Sequence, residues 1–216
     1  MKAFCSAVLL LTVSLAGFSQ PFLQGKISDP RFTEGRISEP KTQHESLNAL
    51  FTYASAFFSD MIYGRSFVYY PTHNDRKIKS RFEWSAQTEP ENPKKISVFD
   101  IERDEVFMTA WFRYDMTPNE KKRVESRDPG LLASAAASAS LFENDSPLPM
   151  LDVYFQVCEE AVKKAAKSTI QKRKPREIHG RLILEKVPSV SIQSGSYTVQ
   201  ASFRIEFDRI DYFDYF

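Results

Sequence analysis

The chain has 216 residues, of which 42% are hydrophobic and 26% charged, and this ordinary globular composition excludes a wholly disordered protein. Its 29 Lys and Arg residues against 28 Asp and Glu residues leave a net charge of +1. A nucleic-acid-binding domain carries a basic excess, so we predict no nucleic-acid partner.

The first segment predicts export. Residues 1–19 read MKAFCSAVLLLTVSLAGFS, with one early lysine, a short apolar run and then small residues, which is typical of a secretory signal peptide. Cleavage fits after Ala16 or after Ser19, and we favour Ser19. Removal of this segment leaves Cys158 without an intramolecular disulfide partner, which favours a bacterial periplasm or envelope over an animal secretory route. We predict no transmembrane segment, because no later apolar run reaches about 18 residues.

The first half of the remaining chain predicts a helix followed by strands. Residues 20–45 form an N-terminal arm with a short echo of Gly and Pro at 25–30 and 35–40, which we interpret as irregular. Apolar residues at helical spacing predict a helix over 46–63, with Ser46 as N-cap and Gly64 as its stop. Strands are predicted at 65–70, around 82–86, around 96–101 and, most strongly, at 106–115.

The second half repeats this order. Residues 117–149 form a charged and Ala/Ser-rich connector, in which we predict a marginal helix over 131–142. A clear amphipathic helix is predicted over 150–173, then a strand at 181–192 that forms a half-buried hairpin with a strand at 197–208. Residues 209–216 form an acidic and aromatic tail.

These elements predict an α+β fold of two α-β-β units, at 46–116 and 150–208, each a long helix on a twisted antiparallel sheet. Residues 62–65 (IYGR) match 178–181 (IHGR), and residues 110–115 match 201–206. The two offsets differ because of an insertion at 71–95 in the first unit. A tandem duplication is therefore one interpretation, and a shared order of elements without common ancestry is the other.

The segment 150–208 resembles the dodecin family and the small dodecin-like envelope lipoproteins of bacteria. The resemblance is carried by the helix VCEEAVKKAAKSTIQ, by Gly180 and by the alternating strand SYTVQASFRIEF. It implies the fold and a tendency to form oligomers. It does not imply flavin binding or a lipid anchor, because no flavin-contacting aromatic lies between Arg181 and Ile192 and the chain has no lipobox.

Motifs of enzymes and cofactor sites are missing from the sequence. No phosphate-binding glycine loop, nucleophile elbow or His-Glu-x-x-His motif occurs. His44, His73 and His179 are scattered, and Cys158 lies on the apolar face of a helix, where it is expected to be core. The acids between 100 and 105 lack the central glycine of a calcium loop and predict a solvated hairpin tip. We predict no cofactor, no metal and no enzymatic activity.

Surface aromatics are the strongest functional signal. Phe107 and Trp111 fall on the predicted outer face of the strand at 106–115, and Phe82 and Trp84 lie two residues apart, hence on one face. Such residues either pack within the chain or form a contact surface for a partner or ligand. The basic residues Lys172, Arg173, Lys174 and Arg176 follow a helix, where the dipole favours them, or contact an anionic surface.

We therefore expect an exported, non-enzymatic periplasmic or envelope protein that acts through protein binding or self-assembly, with a homo-oligomer or an envelope protein as partner. The alternative is a periplasmic carrier of a small ligand, with an apolar cleft between the two units lined by Phe57, Phe58, Trp84 and Trp111. An undetected hydrolase with a converged histidine and carboxylate is a third hypothesis.

Overall fold

The computed structural model describes residues 22–30, 41–140, 148–169, 175–193 and 196–213. The strands are β1 (Phe22–Pro30), β2 (Arg65–Tyr70), β3 (Arg81–Trp84), β4 (Ile96–Arg103), β5 (Phe107–Asp115), β6 (Leu131–Ser140), β7 (Glu177–Leu184), β8 (Ser189–Gln193) and β9 (Ser196–Asp211). The helices are α1 (Gln43–Ile62), α2 (Pro118–Glu125) and α3 (Pro149–Thr169). The predicted signal peptide, the second echo at 35–40 and the basic residues Lys172, Arg173 and Lys174 lie outside the described residues.

The strands form two antiparallel sheets, which confirms the α+β class. One sheet has three strands in the order β1-β5-β4. The other has six, in the order β3-β2-β7-β9-β6, with β8 also paired to β9. Helix α1 packs on β1 and β5 of the first sheet and on β7 of the second, so it joins the two sheets through one core.

The six-stranded sheet curls around α3. On one side of this helix, the Lys163 ammonium lies 5.7 Å from the ring centre of Phe82 in β3. On the other side, the neighbouring Lys164 donates a hydrogen bond of 3.1 Å to the carbonyl of Ser134 in β6. The apolar face of α3 is therefore covered by the concave side of the sheet, as its pattern of buried residues requires.

Helix α1 begins earlier than predicted. Thr42 is its N-cap: the Thr42 hydroxyl accepts from the Glu45 N–H, and the Glu45 carboxylate accepts from the Thr42 N–H. The prediction of Ser46 as N-cap is wrong, since Ser46 is buried inside the helix. Gly64 follows the helix with a φ of 67°, a left-handed conformation that favours glycine and fits its predicted role as the stop.

Two predictions about the connecting segments are wrong. The N-terminal arm is not irregular over its described residues 22–30, which pair with β5 along their whole length as β1. In the segment 131–142, where a marginal helix is predicted, the described residues 131–140 form the strand β6, which pairs with β9 over ten residues in unbroken register. Its odd-numbered alanines face α3, and Ser134 and Ser138 face outward, so the period of two, rather than the helix propensity of alanine, determines this element.

The C-terminal hairpin is confirmed. Along β9, Tyr197, Val199, Ala201, Phe203 and Ile205 are buried, as the alternation predicts. The predicted strand at 181–192 is divided into β7 and β8, with Pro188 in the interruption, where proline cannot donate a ladder hydrogen bond.

The arrangement of two α-β-β units is not confirmed. Helix and strand follow each other in both halves, and β2 and β7 lie side by side as antiparallel neighbours. However, β5, which aligns with β9 in sequence, lies in the three-stranded sheet, whereas β2 lies in the six-stranded one.

Candidate functional site

The predicted aromatic residues fall into two groups on different sheets. Phe82 and Trp84 share one face of β3, as predicted, with ring centres 5.6 Å apart and nearly parallel planes. Phe82 also stacks on Tyr69 at 4.5 Å. Tyr69 is buried in the core, and Phe82 and Trp84 are half-buried against it. These stacked rings lie on one face of β2 and β3, the face that packs against α3.

Phe107 and Trp111 lie on β5 of the three-stranded sheet. Phe107 is 6% exposed, so it packs within the chain and does not form a contact surface for a partner or ligand. Trp111 is half-buried, and the ammonium of Lys26 on the neighbouring strand lies 4.6 Å from its ring centre. The structure therefore does not gather the four aromatics into one surface.

The proposed lining of an apolar cleft is also divided. Phe57 and Phe58 have no exposed surface. Phe57 packs edge-on against Tyr154 at 5.0 Å, and Phe58 stacks on Tyr114 at 6.1 Å. Both phenylalanines are core residues between α1 and its neighbours.

Cys158 is buried beside a cluster of polar side chains and is not accessible as a nucleophile. Asp60 accepts hydrogen bonds from Arg65 at 3.2 Å and from Tyr154 at 3.0 Å, and all of these residues are buried. Burial raises the pKa of the Cys158 thiol well above its ordinary value. A thiol that is both inaccessible and protonated is a poor nucleophile.

Two further buried carboxylates have structural partners. Asp29 of β1 accepts from Lys41 and from Tyr53 of α1, each at 3.0 Å, and thereby ties the first strand to the helix. Glu120 of α2 accepts from the hydroxyls of Tyr63 at 2.9 Å and Tyr114 at 2.8 Å. These acids are satisfied within the chain and anchor its elements.

The three histidines have separate surroundings. His44 contacts Asn48 on the exposed side of α1. His73 is buried and its Nε2 atom lies 2.8 Å from the carbonyl oxygen of Pro175. Only His179 lies beside carboxylates, those of Glu177 and Asp211, with the ligand atoms of all three within 4.8 Å of one another.

Among the described residues, Glu177, His179 and Asp211 are the side chains that could hold a metal ion. Arg209 lies among them: its guanidinium contacts His179 Nε2 at 2.8 Å and the Asp211 carboxylate at 2.8 Å. Arg176 pairs with Glu177 at 3.1 Å. The two arginines balance the two acids, so this cluster is a cross-strand ion-pair network of β7 and β9.

Of the acids between 100 and 105, Asp104 and Glu105 lie at the tip of the β4–β5 hairpin, as predicted, whereas Asp100 and Glu102 lie within β4 and pair with β5. Asp104 lies between β4 and β5, and its carboxylate accepts from the backbone N–H groups of Val106 and Phe107. The carboxylate of Asp104 is thus used in a turn.

A cleft of about 350 Å³ opens beside β2, β3 and β7. It is lined by Ser66, Glu83, Trp84, His179 and Asp208, among others. Asp208 is the extra residue of a β-bulge, since His179 pairs with Arg209 and Gly180 with Phe207. Bulges redirect side chains and occur often next to functional sites.

The strand edges differ in how well they are protected against pairing with another chain. Strand β3 is short and carries Arg81 and Glu83, and β4 is bulged between Val98 and Asp100 and carries several charges. Short length, charge and bulges are the devices by which proteins block edges. Strand β6 is ten residues long, has the sequence LLASAAASAS without charge or proline, and pairs without a bulge.

No described strand pairs with the outer edge of β6, and the backbone groups of alternate residues point to this edge. The carbonyl of Ser202 in β9 accepts from the Glu185 N–H on the β7 side, so it points away from β6. Ser134, directly opposite Ser202, must therefore direct its own N–H and C=O away from β9. The 2.9 Å contact between the Ser134 and Ser202 hydroxyls fits such a pair. By the period of two, Leu132, Ala136 and Ser138 direct their backbone groups to the same edge.

Side-chain exposure agrees with an open edge. Leu132 is 68% exposed and Leu131 39%, while Ser134, Ala136 and Ser138 are exposed as well. In the described part of the chain, β9 and α3 are the main neighbours of β6. Lys164 covers one edge carbonyl, that of Ser134. Sequence reasoning missed this edge because residues 131–142 were expected to be helical, although the alternation of Ala and Ser carried the signal.

Within the described residues, no helix is long and apolar enough to cross a membrane. No curated protein and no solved structure matches the chain. The chain belongs to an uncharacterised protein family, whose model matches residues 19–213.

Proposed function

We propose that this chain is an exported, non-enzymatic protein of the bacterial periplasm or envelope that acts by self-assembly or protein binding. The observation that carries the proposal is the open edge of β6, a long uncharged strand whose outward backbone groups are available to another strand. Strand addition at such an edge is a common mode of protein recognition.

The placement of the reactive side chains supports the same proposal. Asp29, Asp60 and Glu120 are buried and hydrogen-bonded, and Cys158 is buried as well. The cluster around His179 is neutralised by arginines. Among the described surface groups, the outward backbone N–H and C=O groups of β6 are therefore the ones most available to a partner.

The similarity to dodecins belongs to this proposal and concerns the second half of the chain. Helix α3 lies in the curl of the sheet, and the hairpin of β8 and β9 follows it. This geometry supports the likeness in architecture and the tendency to form oligomers that it implies. Arg176 pairs with Glu177, which reduces the positive charge that it offers to an anionic surface.

Cell fractionation and sedimentation velocity test the proposal. Cells that express the full chain should release the protein with the periplasmic or envelope fraction, and the purified protein should sediment as an oligomer or be crosslinked to an envelope protein in the cells. A protein that stays in the cytoplasm contradicts export. A strict monomer without a crosslinked partner contradicts assembly and binding.

The second candidate function, a small-ligand carrier, is favoured by the cleft beside Trp84. Its volume of about 350 Å³ is in the range of small-molecule sites, and an aromatic ring, a histidine and two carboxylates line it. Native mass spectrometry of protein purified from its own cells tests this function. A ligand that is retained by the wild type and lost in Trp84→Ala supports the carrier function. A mass equal to that of the polypeptide alone contradicts it.

A further inference from the structure

We infer that the occupant of the β6 edge is a second copy of this chain, paired antiparallel with its own β6 strand about a two-fold axis near Ala135 and Ala136. This inference rests on the proposed function and names its partner. The two sheets would then join into one continuous sheet across the axis, with a self-complementary interface.

The charge of β6 favours its own copy. Residues 131–140 contain no ionisable side chain, so the two strands themselves bring no like charges together. The charged group at this edge is Lys164 of α3, whose ammonium is bonded to the Ser134 carbonyl.

The other described edges are less suited to self-pairing. Strands β3 and β8 are too short for an extended ladder, and β4 carries a bulge and several charges. Strand β1 carries Lys26 and Asp29 and ends in Pro30.

The distribution of side-chain size favours an antiparallel arrangement. The bulky residues Leu131 and Leu132 stand at one end of the strand, and the other eight are Ala or Ser. Antiparallel pairing about the midpoint lays the exposed Leu132 of each copy beside Ser138 or Ser140 of the other, large against small. Parallel pairing would set leucine against leucine and leave the small end loosely packed.

The backbone geometry permits this pairing without loss of existing bonds. Leu132, Ser134, Ala136 and Ser138 direct their N–H and C=O groups outward, while the intervening residues are bonded to β9. A carbonyl oxygen accepts two hydrogen bonds, so Ser134 can keep its bond from Lys164 and accept one from the second copy.

Proline substitution at the edge tests the inference. Ala136→Pro removes an outward N–H and adds a ring at the free edge, but it removes no bond to β9 because the Ala136 N–H points away from that strand. Protein purified from cells expressing the full chain should sediment as a dimer, and Ala136→Pro should weaken dimerisation by about tenfold or more with an unchanged far-UV spectrum. The matched control, Ala136→Thr, keeps the N–H and should remain dimeric.

A charge-swap pair decides the case even where Ala136→Pro fails to fold. The side chain at 136 is exposed and lies near the axis, so Ala136→Lys and Ala136→Glu should each dissociate alone and form a heterodimer when mixed. If Ala136→Pro folds and stays dimeric, or if the mixed variants do not associate, the inference is overturned while assembly through another surface stands. If the wild-type protein is monomeric and is crosslinked to a different protein, the inference that a second copy occupies the edge is overturned. The proposed function of protein binding then still stands.

Discussion

Three buried carboxylates connect elements that are distant in the sequence. Asp29 joins β1 to α1, Asp60 joins α1 to β2 and α3, and Glu120 joins α2 to α1 and β5. Each acid has at least two hydrogen-bond donors, which is the condition under which a buried charge is tolerated. Residue types that often perform catalysis are therefore used here to fix the positions of helices and strands.

The Asp60–Arg65 pair gives a prediction about stability. Asp60→Ala leaves the buried guanidinium of Arg65 without its counter-charge and should lower the free energy of unfolding by about 3–5 kcal/mol. The double variant Asp60→Ala with Arg65→Met removes both charges and should recover much of this loss. Urea unfolding followed by circular dichroism measures both. Additive losses in the double variant would show that the pair is not coupled.

Glu120 gives a prediction about pH. Burial alone would raise the pKa of its carboxyl, but hydrogen bonds from the Thr117 and Glu91 N–H groups and from two tyrosine hydroxyls hold it below the ordinary value of 4.5. Because the pKa of Glu120 is lowered in the folded state, its charge stabilises the fold fully above about pH 4.5. This stabilisation is lost as the pH falls through the pKa of the folded state. Glu120→Gln should therefore be less stable than the wild type at pH 7, and the gap should narrow below about pH 4.5.

Thermal melts from pH 7 to pH 3 measure this gap. Burial raises the pKa of Asp29 and of Asp60, so these groups act in the opposite direction, but they are common to both proteins and cancel in the comparison. A gap that stays constant across the titration would show that the charge of Glu120 contributes nothing to stability.

At the scale of elements, α3 and β9 form the framework of the six-stranded sheet. Strand β9 is 16 residues long and pairs with β6, β7 and β8, and the small residues Ala133, Ala135 and Ala137 of β6 allow α3 to lie close to that edge. The inward side chains of β9 fill the space between the sheet and α3.

Phe203 is the central side chain of that packing. It has no exposed surface and contacts Tyr154 of α3, with ring centres 6.0 Å apart. Phe203→Ala should reduce the free energy of unfolding by about 3–5 kcal/mol. Gln200→Ala, on the exposed face of the same strand, should change it by less than about 0.5 kcal/mol. Equal losses in denaturant unfolding would contradict the assigned strand faces.

Local patterns predicted most elements but not their partners. The alternation in β9, the apolar face of α3 and the end of α1 at Gly64 follow from short-range periodicity, and the structure confirms them. Strand β6 was missed because alanine favours helix locally, and its pairing with β9, far along the chain, overrides that preference. The open edge of β6 could not be predicted either, because a strand can be recognised as an edge strand only when the order of the strands in the sheet is known.

At the scale of the whole molecule, two sheets share one core and leave unequal edges. Helix α1 lies between the sheets, and Gly25 of β1 approaches Val187 so closely that an added Cβ atom would lie 2.3 Å from a methyl carbon of that valine. The two sheets thus meet beside Val187, between β7 and β8, and β6 is an edge strand of the larger sheet. An exposed edge of this length is a hazard for aggregation unless a specific partner covers it.

Amide hydrogen exchange, resolved by residue with NMR and repeated over a range of protein concentrations, tests the account most directly. The N–H groups of Ala133, Ala135 and Ala137 are bonded to β9 and should be protected at every concentration. Those of Ser134, Ala136 and Ser138 should exchange rapidly in dilute protein and gain protection as the concentration rises and a second copy pairs with the edge. If the alternate amides of β6 stay unprotected at all concentrations, no second copy pairs with this edge, and the central claim of self-pairing through β6 is contradicted.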